Sequence, residues 1–149
     1  MAASVLLLVG DADGERQKKL LARVIEKAAA IEAGTEPKKM GPVIDDVSLS
    51  KILKYIEQSE QNGSKVLLDG RTWTKEKSLE GGNWIGPTVI LHSSSDDKTM
   101  KEEVFGPVLS VYHVKTWQEA IAIENRIPFG NAAAIYTSNG GHAEVRKIA

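Results

Sequence analysis

The chain of 149 residues contains no cysteine. A disulfide framework, a thiolate metal cage and a cysteine nucleophile are therefore excluded within it. It also lacks a dominant charge. Its 19 basic and 20 acidic residues leave a net charge of -1, and neither sign gathers into a block, so there is no electrostatic footprint for nucleic acid or an anionic membrane. No apolar run approaches the roughly 20 residues that span a bilayer. The opening "MAASVLLLVGDADGE" has neither a basic n-region nor the apolar length of a secretory signal, which makes the cytoplasm the expected compartment. His92, His113 and His142 fall at no metal-ligand spacing and beside no nucleophile-elbow serine, so structural or surface roles are expected for them and no metal site. Internal repeats, low-complexity tracts and linkers are missing too, which makes residues 1–149 a single domain.

What is present is a globular composition, 42% hydrophobic, arranged in alternating strand and helix patterns. The continuous apolar run "SVLLLVG" at 4–10 predicts an interior strand buried on both faces. Leu20, Leu21, Val24, Ile25 and Ala28 recur at helical spacing from Glu15 to Ala33, with Gly34 placed as a C-cap. Leu49, Ile52, Leu53 and Ile56 form the stripe of a second helix closed by Asn62 and Gly63. "KVLLDG" predicts another buried strand, and the polar stretch from Arg71 to Gly86 a long surface excursion or loose hairpin. "PTVILH" and the β-branched "PVLSVYHV" predict two more strands, with a short helical turn around Lys98–Glu102 between them. Thr116 and Glu119 have the spacing of a capping box before a further helix. "IPFGN" breaks that helix, "AAAIYTSNGG" predicts a small-residue strand and turn, and "HAEVRKIA" a last helix. The alternation predicts an α/β fold with a largely parallel sheet flanked by helices in three αβα layers.

Several clusters invite functional readings. The glycines of "GGNWIGP" and "GNAAAIYTSNGG" match neither the dinucleotide fingerprint nor the P-loop, and read as turns. Asp45 with Asp46, and Asp96 with Asp97, precede helix starts, where carboxylates favour the dipole, and capping fits them better than metal ligation. Glu102 and Glu103, ahead of "VFGPVLSV", leave two readings open. They can simply close a helical turn, one facing solvent. Alternatively, a carboxylate fixed outside a strand end can accept hydrogen bonds from a vicinal diol such as a ribose. Phe105 would then give a flat apolar wall, Gly106 would allow close backbone approach, and Pro107 would set the entry angle of the strand.

"EEVFGPVLSV" resembles the Glu-Glu-(Ile/Val)-Phe-Gly-Pro-Val motif of the aldehyde dehydrogenase superfamily, and "IPFGNAAAIYTSNG" is similar to a later segment of that family. "MGPVID", "VLLDGR" and "GNWIGPTVI" agree in order, so the resemblance covers the whole chain. Within the superfamily, "VLLDGR" and "GNWIGPT" look most like methylmalonate-semialdehyde dehydrogenases. The resemblance implies an aldehyde dehydrogenase catalytic-domain core, with NAD as cofactor and a small aldehyde or semialdehyde as substrate. It implies that Glu103 accepts hydrogen bonds from the nicotinamide ribose and that Phe105 packs beside the nicotinamide end. Glu102, Gly106 and Pro107 match in shape, and Pro128, Phe129, Gly130 and Asn131 match a segment supporting the active-site wall.

The departures matter equally. The family's chemistry is thiolate attack on the aldehyde, hydride transfer to NAD, and release of the thioester to water or coenzyme A. No nucleophile and no general base are identifiable here, so no catalytic residue is assigned. In the resembled branch the nucleophile precedes residues much like "MAAS". The chain is therefore expected to be a truncated catalytic-domain fragment that lacks the NAD-binding domain and the catalytic cysteine. Such a fragment would be inactive alone, weak in NAD binding, and prone to self-association through a former domain interface. A standalone, non-enzymatic binding or assembly module that kept the fold and lost the chemistry is the alternative from a different class.

Overall fold

In the computed structural model, residues 3–76, 79, 81–130 and 132–138 are described. The elements run β1 (Val5–Val9), α1 (Glu15–Ala29), α2 (Asp46–Gln61), β2 (Lys65–Leu68), a 3-10 helix (Gly70–Lys75), β3 (Thr88–Leu91), α3 (Lys98–Lys101), β4 (Val108–Val114) and α4 (Trp117–Asn125). The four strands form one sheet in the order β1-β4-β3-β2. β4 pairs in parallel with both β1 and β3, and β2 joins β3 antiparallel. The sheet is thus mixed and mainly parallel, as the alternating pattern predicts.

Period-2 alternation along β4 sorts the helices onto the two faces. Val108 packs with Ile52 and Ile56 of α2, while Val114 packs with Met100 of α3 and Ile123 of α4. Val111, three residues from each and on the opposite face, meets Leu8 and Val89 under Leu21, Ile25 and Ala28 of α1. Ile52, Ile56, Ile90 and Val111 are fully buried, at 0% exposure, and each such side chain stabilises the fold by roughly 1.5–3 kcal/mol. The valine-rich β4 and its neighbour β3 are the two strands with partners on both sides, and β4 pairs in parallel on each.

Four expectations need correction. Among the described residues "SVLLLVG" forms the edge strand β1, not an interior one: only Leu8 is buried there and Val9 is 43% exposed. β2 is likewise an edge strand, half-buried, since its one partner is β3. Helix α1 ends at Ala29, short of Ala33, because the following residues turn into a bridge between Ala33 and Met40, with Met40 N donating to the Glu32 carbonyl at 2.9 Å. The stretch from Arg71 to Gly86 is the surface excursion and not the loose hairpin, its described residues up to Trp84 being exposed or half-buried. It starts in the 3-10 helix and ends in the buried Ile85 and Gly86, with Gly86 N donating to the Gly70 carbonyl at 2.9 Å. A Cβ on Gly70 would lie 1.9 Å from the Gly86 carbonyl oxygen, so two facing glycines are what allow that closure. Finally, residues 132–138 form no strand, and Tyr136 there is 92% exposed. The last helix, at "HAEVRKIA", and His142 lie outside the described residues.

Other local expectations hold. Asp45 caps α2 by accepting from Ser48 N, and Asp97 caps α3 by accepting from Thr99 N. Thr116 caps α4 through Glu119 N, while the Glu119 carboxylate reaches one residue further back than a capping box requires, to Lys115 N at 2.9 Å. Among the described residues, no helix is long and apolar enough to cross a membrane.

Candidate functional site

The two glutamates lie in the loop between α3 and β4, and α2 holds that loop from one side. Glu102 ends α3, its N–H donating to the Lys98 carbonyl at 2.7 Å. Its carboxylate turns toward α2, where Tyr55 Oη donates to Oε2 at 2.5 Å. Two residues on, Val104 is buried in the cluster built by Ile52 and Ile56. Gly106 abuts the same helix: a Cβ there would meet Ile52 Cδ1 at 2.5 Å. Between these anchors the Glu103 carbonyl accepts from Lys51 Nζ at 3.2 Å, and Lys51 also sits over the Tyr55 ring at 5.6 Å from its centroid.

Glu103 itself is exposed, and no hydrogen bond or ion pair engages its carboxylate among the described residues. A carboxylate held by its backbone and left unpaired offers its lone pairs to an external donor. Phe105 is 78% exposed and sits at φ 57, in the left-handed region that costs a β-carbon-bearing residue about 1–2 kcal/mol. Such an outlier persists only where its surroundings over-determine it. Here buried Val104 precedes it and the close-packed Gly106 follows.

Glu102 closes the helical turn and Glu103 faces solvent, as the helical-turn reading of the pair expects; the same exposure leaves the Glu103 carboxylate open to an external donor. Glu102 is spent on an internal bond, whereas Glu103 and Phe105 face outward from one loop at the entry to the central strand. The Tyr55 phenol is raised above its ordinary value, chiefly because it donates to Glu102, with burial and the carboxylate charge adding to the effect. Phe129, from the segment thought to line an active-site wall, is 54% exposed beyond α4, and Asn131 lies outside the described residues.

Behind the loop lies a buried polar cluster that sequence reading did not anticipate. Ser59 Oγ donates to Asp97 Oδ1 at 2.9 Å, Asn62 Nδ2 to Oδ2 at 3.2 Å, and Thr99 Oγ1 to Oδ1 at 2.9 Å. With its proton directed at Asp97, Thr99 Oγ1 accepts from His92 Nε2 at 3.0 Å, which leaves Nδ1 to accept from Ser64 Oγ at 3.0 Å. His92 is held below its ordinary value, mainly by burial, with Asp97 opposing. It is neutral, so its 3.8 Å approach to Asp97 is no ion pair. Burial is the largest influence on Asp97 and pushes it up, but the hydrogen bonds from Thr99, Asn62 and Ser59 outweigh it and hold the carboxyl below its ordinary value. His92 is thus structural, as expected. His113, on β4, has a buried Nδ1 without a partner among the described residues.

A mainly parallel sheet with helices on both faces, and an exposed glutamate and aromatic just ahead of β4, defines a three-layer α/β core. The chain belongs to the aldehyde dehydrogenase family, which residues 2–147 match. It is 40% identical over 152 residues to the mitochondrial acylating methylmalonate-semialdehyde/malonate-semialdehyde dehydrogenase of Homo sapiens, covering 100% of this chain and 27% of that protein. It is likewise 40% identical to malonate-semialdehyde dehydrogenase 1 of Geobacillus thermodenitrificans, covering 99% and 30%. Among solved structures, methylmalonate-semialdehyde dehydrogenase of Oceanimonas doudoroffii superposes with a TM-score of 0.84 at 32% identity, over 95% of this chain and 29% of that one. Betaine aldehyde dehydrogenase of Staphylococcus aureus, solved in complex with NAD+, gives 0.84 at 28% identity over 95% and 28%. The chain spans about a quarter to a third of the length of these relatives.

Proposed function

We propose that this chain is a catalytic-domain segment of an NAD-linked semialdehyde dehydrogenase whose NAD-binding domain and nucleophilic cysteine lie outside these 149 residues. The observation that carries this reading is the Glu103 carboxylate. It is exposed, its backbone is tied to α2, and it sits in a chain 40% identical to enzymes named for malonate and methylmalonate semialdehydes. The loop fits the nicotinamide half of NAD. A free carboxylate can accept both hydroxyls of a ribose diol, and the exposed Phe105 ring supplies an apolar wall beside it. When bound, NAD supplies the hydride acceptor. Glu103 orients the ribose, and Phe105 excludes water from one side. The nucleophile must come from outside these 149 residues, which contain no cysteine. Coenzyme A as the acyl acceptor is supported by the relative named as acylating.

Kinetics of the whole enzyme on malonate semialdehyde test this. NADH should form with NAD and coenzyme A present, and Glu103→Gln should raise the KM for NAD about tenfold or more, the loss expected for a hydrogen bond to a charged group. NADH formation insensitive to that substitution would overturn the assignment of Glu103. The isolated chain should give no sustained turnover. Its NAD binding should be weak too, because one ribose contact of roughly 1.5–3 kcal/mol cannot offset the cost of immobilising a dinucleotide. A micromolar dissociation constant by calorimetry would contradict that. Exposed Ile44, Val47 and Phe105, at 90%, 71% and 78%, support self-association of the isolated chain, which a strictly monomeric scattering mass at high concentration would exclude.

A further inference from the structure

We propose that Tyr55 is a positioning residue that decides which of two adjacent carboxylates is offered to the cofactor; this rests on the ribose-binding reading of Glu103. Glu102 and Glu103 are identical side chains on neighbouring residues, and both are exposed. Nothing in their chemistry distinguishes them. What does is α2: Tyr55 Oη donates to Glu102 Oε2 and so holds that carboxylate against the helix.

The consequence for Glu103 is geometric and electrostatic. Its flanking residues are both drawn toward α2, Glu102 by Tyr55 and Val104 by the cluster of Ile52 and Ile56. Its own carbonyl is held by Lys51. With both neighbours fixed on one side, the Glu103 carboxylate is left on the other. Without the phenol, Glu102 would swing free beside Glu103, and two unpaired like charges would repel each other and compete for the same pair of hydroxyls. Lys51 and Tyr55 occupy positions four apart on α2, so one helical face carries both the backbone tether and the carboxylate tether. The ring of Tyr55 lies under the Lys51 ammonium, which couples the two tethers.

The test is a set of NAD saturation curves on the whole enzyme, comparing Tyr55→Phe, Glu102→Gln, Glu103→Gln and Tyr55→Phe combined with Glu103→Gln. Tyr55→Phe removes only the hydroxyl, and should raise the KM for NAD about fivefold, as for an interaction near 1 kcal/mol, with kcat changed less than about twofold. Combined with Glu103→Gln it should add nothing further, because both changes act through one carboxylate. Glu102→Gln keeps a group that Tyr55 can hold and removes the competing charge, so it should leave the KM below that of Tyr55→Phe. If Glu103→Gln has no effect on the KM, the ribose reading itself fails and this proposal falls with it. If Glu103→Gln raises the KM but Tyr55→Phe does not, or if the two effects multiply in the double variant, Tyr55 has only a packing role. Should Tyr55→Phe fail to fold, Glu102→Asp takes its place: its shorter side chain keeps the competing charge and loses the bond to Tyr55, so it should raise the KM likewise, and an unchanged KM overturns the proposal.

Discussion

Gly106 lies so close to Ile52 that a Cβ at position 106 would sit 2.5 Å from Ile52 Cδ1 and 2.7 Å from Cγ1. Ile52 is fully buried and cannot move aside freely. Gly106→Ala should therefore cost about 1–3 kcal/mol, the range for overpacking a filled core, measured by urea denaturation. Adding Ile52→Val, which removes Cδ1, should recover part of that loss; a double variant less stable than the sum of the two singles would show that the contact is not the cause.

Asp97 closes the cluster that joins the C-terminal turn of α2 to the start of α3. Asp97→Ala removes the α3 cap and strands the Ser59, Asn62 and Thr99 donors together. A loss of about 2–4 kcal/mol is expected from a cap plus unpaired buried donors. A loss near that of an ordinary surface substitution would mean that water replaces the carboxylate there.

The same cluster sets the acid side of the stability profile. His92 is held below its ordinary 6.5. As pH falls below that value the unfolded chain takes up a proton that the folded chain refuses, and stability declines until the folded value is reached. Asp97, held below its ordinary 3.8, acts in the same direction at lower pH: its contribution is complete above 3.8 and disappears as pH falls through the folded value. Denaturation midpoints should therefore drop between about pH 7 and pH 5 in the wild type, and His92→Gln should flatten that slope. An unchanged slope would show that His92 takes up its proton as readily in the folded chain as in the unfolded one.

Tyr55 titrates above its ordinary 10.0 because it donates to Glu102. Glu102→Ala should bring it back toward 10.0, which ultraviolet difference titration of the folded chain can follow against the other tyrosines. A titration unmoved by that substitution would mean that the bond between helix and loop does not persist in solution.

Arg71 spans the 3-10 helix and α2, with Nη1 on Glu60 at 2.7 Å and Nε and Nη2 on Asp69 at 2.8 Å each. Arg71→Lys keeps the charge but loses the fork, and should cost about 1 kcal/mol at low salt and less at high salt, since the pair is partly solvated. Thermal melts at two ionic strengths would show it; a loss independent of salt would assign the effect to packing.

The sequence by itself determined the elements whose cause is local. The stripe Leu49, Ile52, Leu53, Ile56 made α2 a helix because apolar residues at that spacing share one face, and Asp45 and Thr116 started helices where their side chains reach backbone N–H groups. The motif around Glu103 was equally legible, since its residues are contiguous. Tertiary structure alone decided the rest. An apolar strand looks the same at an edge as at the centre, and β1 became an edge only through the order in which strands pair. Two adjacent glutamates look the same in sequence, yet a tyrosine 47 residues from Glu102 holds one and leaves the other free. Likewise Ser59, Ser64, His92, Asp97 and Thr99, unremarkable where they stand in the chain, form one hydrogen-bonded cluster because α2, β3 and α3 converge there. Spacing encodes what neighbours along the chain do to one another; contacts between residues far apart depend on how the sheet and helices pack.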